Sequence, residues 1–263
     1  APADYKLASV VVTCTNCTQT TIVSLTTTIA PKNLENVTNN GALFLTVLNA
    51  LGAPLTGASV NITNAGQGLN FTDTTDVNGL LKVYDVIPAS LAYAVTVTKS
   101  GYSTDKTHDV TDSNPSPSKR ALTTATGMVT SSTFSIDTLA SLVITSENSS
   151  CTPIGNYDFI LQGYKTIGTN NGVPVYKYST PQITSDAGAL TVSPLEWDTY
   201  SILPTSSTYD LAGVLPVASL TVTPGQAATA SLILKSKIPS ALMVVVKDQA
   251  THLPVSGATV TLT

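Results

Sequence analysis

Charged residues are scarce in this chain. Asp, Glu, Lys and Arg make up 11% of the 263 residues, and the formal net charge is −4. The 12 basic residues form no cluster along the sequence. A nucleic-acid-binding surface needs grouped Lys and Arg side chains to neutralise phosphates. We therefore expect no nucleic-acid partner.

Helical periodicity and long hydrophobic runs are also missing. No segment repeats apolar residues at i, i+3, i+4 and i+7 over the roughly 11 residues of a convincing amphipathic helix. No window holds the roughly 18 uninterrupted apolar residues of a membrane helix. No signal-peptide pattern opens the sequence, so we expect Ala1 to begin a mature chain or a fragment. Hydrophobic residues, many of them β-branched, amount to 42% and favour a packed all-β protein over a disordered one.

Side chains able to catalyse reactions or bind metals are few and scattered. The two histidines, His108 and His252, have no neighbouring Cys or His at ligand spacing, and no Gly-x-Ser-x-Gly motif supplies a nucleophile. The 16 acidic residues show no pattern that separates a catalytic pair from solvated charge. Asp73, Asp76 and Asn78 spell part of a calcium loop, but no Glu follows at the right distance, which favours a hairpin turn. We expect no enzyme activity, cofactor or metal site.

Cysteine occurs three times, at Cys14, Cys17 and Cys151. Cys14 and Cys17 lie at a predicted hairpin turn, which can bring their Cα atoms to the roughly 5–6 Å that a disulfide needs. Zinc would need about four ligands, and a redox Cys-x-x-Cys usually opens a helix, whereas predicted strands flank this one. We expect a Cys14–Cys17 disulfide, with free thiols as the alternative. Cys151 is left over, and we expect it to be buried or unpaired.

An internal repeat dominates what the sequence does contain. The segment Pro-Leu-Thr-Gly-Ala-Ser-Val-Asn-Ile begins at Pro54, and related segments begin at Pro153 and Pro254, each about one hundred residues after the last. Repetition at a fixed period predicts tandem modules. We predict a β-hairpin and linker over 1–40, one module over 41–138, a second over 139–238, and the first strands of an incomplete third over 239–263.

Three motifs of the first module resemble a known family. They are Pro-hydrophobic-x-Gly-Ala-x-Val from Pro54, Thr-Asp-x-Asn-Gly from Thr75, and Tyr-x-Val-x-Val-x-Lys-x-Gly-Tyr from Tyr93. Together they resemble the carboxypeptidase regulatory-like domain of the transthyretin-like group, and collagen-adhesin B-type repeats are similar. The resemblance implies tandem Greek-key β-sandwiches, prealbumin- or Ig-like, that serve as spacer or adhesive units. It implies no peptidase activity, because the resemblance is to the accessory domain.

The first residues resemble a different group. Asp4-Tyr5-Lys6 and the run from Leu25 to Pro31 are similar to the last β-hairpin of bacterial type IV pilin-like proteins. This resemblance covers residues 4–35 only. It implies a relation to a filament.

Aromatic residues gather in the second predicted module. Trp197 and Tyr200, with Tyr164, Tyr176 and Tyr178 nearby in sequence, could form a sugar-binding patch. A lone Trp beside Leu195 could equally belong to the core. We carry Trp197 and Tyr200 forward as candidate ligand-binding residues.

Architecture, rather than any motif, suggests the function. Repeated modules, low charge and abundant Thr and Ser are typical of extracellular structural proteins. We expect a structural or adhesive protein of a cell surface or pilus-like filament, whose partners are copies of itself or other surface or pilus subunits. The alternative is a carbohydrate- or protein-binding module that uses the loops and aromatics of the second sandwich. A third reading is an accessory spacer of an enzyme.

Overall fold

A computed structural model describes residues 6–12, 23–29, 39–216, 219–238 and 244–261. The chain divides into two compact units, Ala1–Ile136 and Asp137–Thr263. In the described ranges nearly all regular structure is β-strand, and the sole helical segment is a 3-10 turn at Ala65–Gln67. No described helix has the length and hydropathy needed to span a bilayer. The all-β prediction is confirmed, while the four-part division of the chain stays a prediction.

An antiparallel hairpin forms the first pair of strands. Strand β1 (Lys6–Val12) pairs with β2 (Val23–Ile29) along its whole length. The side chains of Val10, Val11 and Leu25 are 60%, 57% and 67% exposed. Two strands bury little apolar surface on their own, so the hairpin does not form a core of its own.

The rest of the first unit is a β-sandwich. After the hairpin, the strands of the first unit are β3 (Gly41–Leu48), β4 (Ser59–Asn64), β5 (Leu69–Thr74), β6 (Leu80–Val86), β7 (Ala89–Thr98), β8 (Asp105–Lys106), β9 (Ser116–Pro117), β10 (Leu122–Thr124) and β11 (Val129–Ser135). All of them except β9 belong to the two sheets of the sandwich. One sheet has the order β10-β7-β4-β5, with β8 also paired to β7, and the other has the order β11-β3-β6.

Alternating apolar residues create the core between these sheets. In β3 the side chains of Leu43, Leu45 and Val47 are all 0% exposed. Successive side chains of a strand point to opposite faces, so one apolar face of each sheet packs against the other sheet. The core also contains Val60 and Tyr93 from the facing sheet.

The second unit is another sandwich. Its strands are β12 (Ala140–Glu147), β13 (Asp158–Gly163), β14 (Thr166–Asn170), β15 (Val173–Tyr176), β16 (Ser179–Ile183), β17 (Ala189–Leu195), β18 (Asp198–Pro204), β19 (Tyr209–Leu215), β20 (Ser219–Val222) and β21 (Ala227–Ser236). Its sheets have the orders β17-β12-β21-β19 and β16-β13-β18-β20. Strands β14 and β15 form a hairpin inserted between β13 and β16.

The two sandwiches share a common frame of strands. The order β6-β3-β11 corresponds to β17-β12-β21, and β5-β4-β7-β10 corresponds to β16-β13-β18-β20. In both, the first and last strands of the shared frame pair in parallel, β3 with β11 and β12 with β21. The β-sandwich prediction is confirmed, and β14, β15 and β19 are additions of the second unit.

The third copy of the repeat has a turn but no sheet in its described part. Within 244–261 the backbone forms one isolated bridge, between Lys247 and Pro254, and no strand. Strand pairing needs a neighbouring strand. The alternating run after Pro254, which predicts a strand, is therefore not realised there.

Candidate functional site

The repeated motif begins with a turn held by a side chain. Asn49 Oδ1 accepts hydrogen bonds from the backbone N–H groups of Leu51 at 3.0 Å and Ala53 at 2.9 Å. The turn closes with a bridge between Leu48 and Pro54. An Asn side chain stabilises a turn in this way by replacing a backbone acceptor.

The same turn recurs in the two later copies. Asn148 Oδ1 accepts from the N–H groups of Ser150 and Thr152 at 2.9 and 3.0 Å. Asp248 Oδ1 accepts from Ala250 and Thr251, and the hydrogen bonds from Thr251, backbone first, hold the pKa of Asp248 below its usual value. The left-handed residue two positions before the bridging proline is Gly52, Cys151 and His252 respectively, and the third turn is one residue longer than the other two.

Cys151 therefore occupies the left-handed position of a turn and forms no disulfide with another described residue. It is an exposed free thiol at φ 58°, so of the two alternatives expected for it, buried or unpaired, the structure shows the second. Cys14 and Cys17 lie outside the described residues, and their disulfide stays a prediction. His252 occupies the matching turn position in the third copy.

A second recurrent element ties the motif to the hairpin turn before β6. The Thr75 hydroxyl donates to the carbonyl of Leu55 at 2.6 Å and accepts from the N–H of Ala58 at 3.0 Å. Gly79 has φ 67°, and only a residue without a side chain fits there, because a Cβ would clash with the carbonyl oxygen of Val47. The motif residues therefore fix how two turns meet at one end of the sandwich.

The second sandwich builds this junction with one more hydroxyl. Thr184 Oγ1 accepts from the N–H of Tyr157 at 3.0 Å, and the Ser146 hydroxyl lies 2.9 Å from it. Ser146 in turn donates to the carbonyl of Ile154 at 2.5 Å. Gly188 occupies the place of Gly79, at φ 70°.

The calcium-like segment is a turn. Asp76 Oδ1 accepts from the N–H groups of Asn78 at 2.8 Å and Leu80 at 2.9 Å, and Asp73 Oδ1 accepts from its neighbour Thr74. These carboxylate oxygens serve the backbone of the hairpin. Across the described residues, no three His, Cys, Asp or Glu side chains are grouped so that they could hold a metal ion.

Trp197 lies in a charged cluster of the second unit. The Lys165 ammonium sits over its ring at 3.0 Å from the centroid. The same ammonium contacts Glu196 Oε1 at 2.8 Å, and Lys177 contacts Glu196 Oε2 at 2.6 Å. Burial lowers the pKa of Lys165 despite the hydrogen bond to Glu196. One face of the Trp197 ring is therefore covered by a cation within the molecule.

Tyr200 is a core residue. It is 1% exposed, its hydroxyl donates to the carbonyl of Glu196 at 2.8 Å, and Tyr178 packs edge-on against its ring at 5.6 Å between centroids. Burial is the main cause that raises the pKa of Tyr200. Gly163 lies close to this ring, and a Cβ there would lie 2.5 Å from Asp198 Oδ2 and 3.3 Å from the Tyr200 ring.

The structure thus brings together only part of the predicted patch. Tyr164 is 65% exposed, whereas Tyr176 and Trp197 are half-buried. Tyr200 cannot contact a ligand without a rearrangement of the core. The lysines and Glu196 escape sequence reasoning because they come from separate segments and carry no local motif.

Comparisons with known proteins give no family. No protein-family model matches the chain, and no curated protein matches it significantly. Among solved structures it is similar to the TIE protein of Bacillus anthracis, at 15% identity and TM-score 0.31, over 82% of this chain but 38% of that one. It is also similar to the minor pilin GBS52 of Streptococcus agalactiae, at 12% identity and TM-score 0.31, over 78% and 99% of the two chains. The shaft pilin SpaA of Lactobacillus rhamnosus GG aligns at 10% identity and TM-score 0.26, over 76% and 100%. Alignments this weak do not assign the chain to a family.

Proposed function

We propose that this chain is an extracellular structural or adhesive protein whose β-sandwiches act as spacers that withstand tension. The observation that carries the proposal is the parallel pairing of the first and last strands of the shared frame in each sandwich. Low charge and abundant Thr and Ser support a place outside the cell. On this proposal the partners are copies of the chain or other subunits of a cell surface or pilus-like filament.

Parallel pairing determines how a pull is resisted. In the first sandwich β3 pairs with β11 from Ala42 opposite Val129 to Leu48 opposite Ser135. A pull on the two ends of the sandwich draws these strands in opposite directions along their own axes. The hydrogen bonds between them are then sheared together rather than broken one at a time.

The second sandwich repeats this geometry. Strand β12 pairs in parallel with β21 from Ser141 opposite Ala227 to Glu147 opposite Ile233. The net contribution of one backbone hydrogen bond to stability is only about 1 kcal/mol. The strand pair therefore resists a pulling force because all its hydrogen bonds bear the load at the same time. Two sandwiches of one design, placed in sequence, suit a stalk or fibre.

Single-molecule force spectroscopy on the whole chain, tethered at its two ends, tests the proposal. We expect both sandwiches to unfold at high force. The matched control pulls the first sandwich through Leu51→Cys and Val77→Cys, with the native cysteines replaced by Ser. These sites are 90% and 82% exposed and lie at the same end of the antiparallel pair β3–β6, so this pull unzips bonds one at a time. The proposal fails if end-to-end pulling needs no more force than the control.

Binding by the second sandwich is the alternative function, and the exposed side chain of Tyr164 and the half-buried side chain of Trp197 favour it. A glycan array probed with the whole chain, and with Tyr164→Ala and Trp197→Ala, tests it. Loss of a specific glycan signal in both folded variants would support binding. A wild-type chain that retains no glycan would remove this alternative for carbohydrates.

A further inference from the structure

The first sandwich contains an apolar cavity that the functions above do not use. Its volume is about 210 Å³, and it opens between β5 and β6, the outer strands of the two sheets. The apolar side chains that line it include Leu43, Ile62, Leu69, Phe71, Val83 and Val86. A cavity of about 150 Å³ with such a lining stays dry and accepts a benzene ring, so this one has room for a single ring.

Polar groups sit at the margin of this cavity, beside Tyr93. The Tyr93 hydroxyl donates to the carbonyl of Ile87 at 2.5 Å and lies 3.0 Å from Gln67 Oε1. Asp85, also at the margin, accepts from Asn40. An apolar interior with a few polar groups at the rim is the usual form of a small-molecule site.

The second sandwich has an equivalent tyrosine. In the first, Ile62 of β4 lies opposite Val95 of β7, and in the second, Leu161 of β13 lies opposite Ile202 of β18. Counting back two residues from Val95 and Ile202 makes Tyr93 and Tyr200 equivalent. The two hydroxyls behave alike, since each donates to a backbone carbonyl a few residues upstream.

The environments of these tyrosines differ in one aromatic ring. Tyr178 packs against Tyr200 with the ring planes at 88°, and its carbonyl accepts from the N–H of Gly163. In the first sandwich Asn64 takes the place of Gly163 and lies opposite Leu69. Leu69 therefore stands where the second sandwich has Tyr178, and the space beside Tyr93 is the cavity.

We propose that this cavity, the Tyr93 cavity, is a binding site for one monocyclic aromatic ring of the phenol type. The second sandwich shows that a phenol ring packs beside the equivalent tyrosine. The cavity has the size and the apolar lining for such a ring, and Gln67 and Asp85 at its rim can accept a hydrogen bond from a phenolic hydroxyl.

The test titrates p-cresol, the free form of a tyrosine side chain, into the whole chain while methyl signals are followed by NMR. We expect saturable shifts of the methyl groups of Leu43, Ile62 and Val83. Leu69→Tyr supplies the missing ring from within and should weaken p-cresol binding at least tenfold. Leu51→Tyr, placed at an exposed site away from the cavity, is the matched control and should leave binding unchanged.

Two further variants keep the test decisive. If Leu69→Tyr does not fold, Val83→Phe blocks the cavity from the opposite sheet and should have the same effect. Tyr178→Leu removes the ring from the second sandwich and should create a second p-cresol site, reported by Leu161. The proposal is overturned if the wild type shows no saturable shift, or if a folded blocking variant binds p-cresol as the wild type does.

Discussion

The two sandwiches share a strand frame and differ in how one turn is built. Between β4 and β5 the first has the short 3-10 turn Ala65–Gln67, and between β13 and β16 the second has the β14–β15 hairpin. Lys165 directly precedes β14 and Tyr178 lies two residues after β15, so the segments that flank the hairpin supply the cation over Trp197 and the ring against Tyr200. The first sandwich has a cavity at the corresponding place.

The two copies share the backbone geometry of their turns, whereas the side chains that fill their cores differ. Val60 of the first core corresponds to Phe159 of the second, a large change in side-chain volume. Yet Asn49 and Asn148 hold the same turn, and Gly79 has its match in Gly188. The frame therefore tolerates exchange inside the core and depends on turns that require particular residues. Three experiments can break or sharpen this comparison.

The largest effect is expected at the buried glycines. Gly79→Ala and Gly188→Ala add a Cβ at a positive φ and against backbone atoms of the facing turn. We expect each to lower the free energy of unfolding of its own sandwich by about 3 kcal/mol or more. Denaturant unfolding followed by hydrogen exchange, resolved by sandwich, measures this.

Gly52→Ala is the control for that experiment. Gly52 has φ 78° but nothing within contact distance of a Cβ, so only the left-handed strain of about 1 kcal/mol remains. Equal losses at Gly52 and Gly79 would show that the close backbone approach is unimportant.

A middle effect is expected at the buried threonines. Thr75→Val leaves the N–H of Ala58 and the carbonyl of Leu55 without their partner, and we expect a loss of about 2 kcal/mol. Thr184→Val leaves the N–H of Tyr157 without its acceptor and should lower the free energy of unfolding by a similar amount.

Ser146→Val isolates the difference between the two junctions. It gives the second sandwich the aliphatic residue that the first has at Val47. If the two junctions are interchangeable, Thr184 takes over the bond to Ile154 and the loss stays under about 1 kcal/mol. A loss as large as that of Thr184→Val would mean that Ser146 is indispensable. Urea unfolding monitored by Trp197, the single tryptophan, reads the second sandwich directly.

The smallest effect is a pH dependence of the second sandwich. Burial is the main cause that raises the pKa of both Tyr200 and Tyr157 above the ordinary value of 10.0. The unfolded chain then releases these protons first, so the stabilisation is complete below pH 10 and falls as the pH rises from there. We expect a slope of at most about 1.4 kcal/mol per pH unit for Tyr200.

Lys165 acts in the opposite direction, since its pKa is lowered from 10.5 and its contribution rises with pH below that value. Measurements of Trp197 fluorescence between about pH 10.5 and 12 therefore isolate the tyrosines. Tyr200→Phe should flatten the curve. An unchanged slope in this variant would show that Tyr200 does not titrate differently in the two states.

The strands and turns can be predicted from the sequence because each is indicated by a pattern of neighbouring residues. Alternation across Leu43, Leu45 and Val47 predicts one buried face, and Asn78-Gly79 predicts a turn. The spacing of 99 residues between Pro54 and Pro153 does not align Tyr200 with Tyr93, which lies 107 residues earlier. The equivalence of the two tyrosines, and with it the core position of Tyr200, follows only from the strand pairing.

Sequence reasoning does not reach the cavity or the lysine cluster, because neither is local. The cavity depends on Leu69 being smaller than Tyr178 at one register position, which requires knowing that the strands pair there. The contact of Lys165 with Trp197 and Glu196 depends on the path of an inserted hairpin. The sequence carries one signal of that insertion: the stretch from the motif proline to the turn glycine is longer from Pro153 to Gly188 than from Pro54 to Gly79.

The parallel pair of first and last strands also has a consequence for synthesis. While the chain is being synthesised, β3 has no partner on one side until the segment Val129–Ser135 follows. Contacts between distant parts of a chain form slowly, so this edge stays open longest and invites the last strand of another molecule. Each sandwich therefore needs its own final strand to arrive before a neighbouring chain can substitute for it.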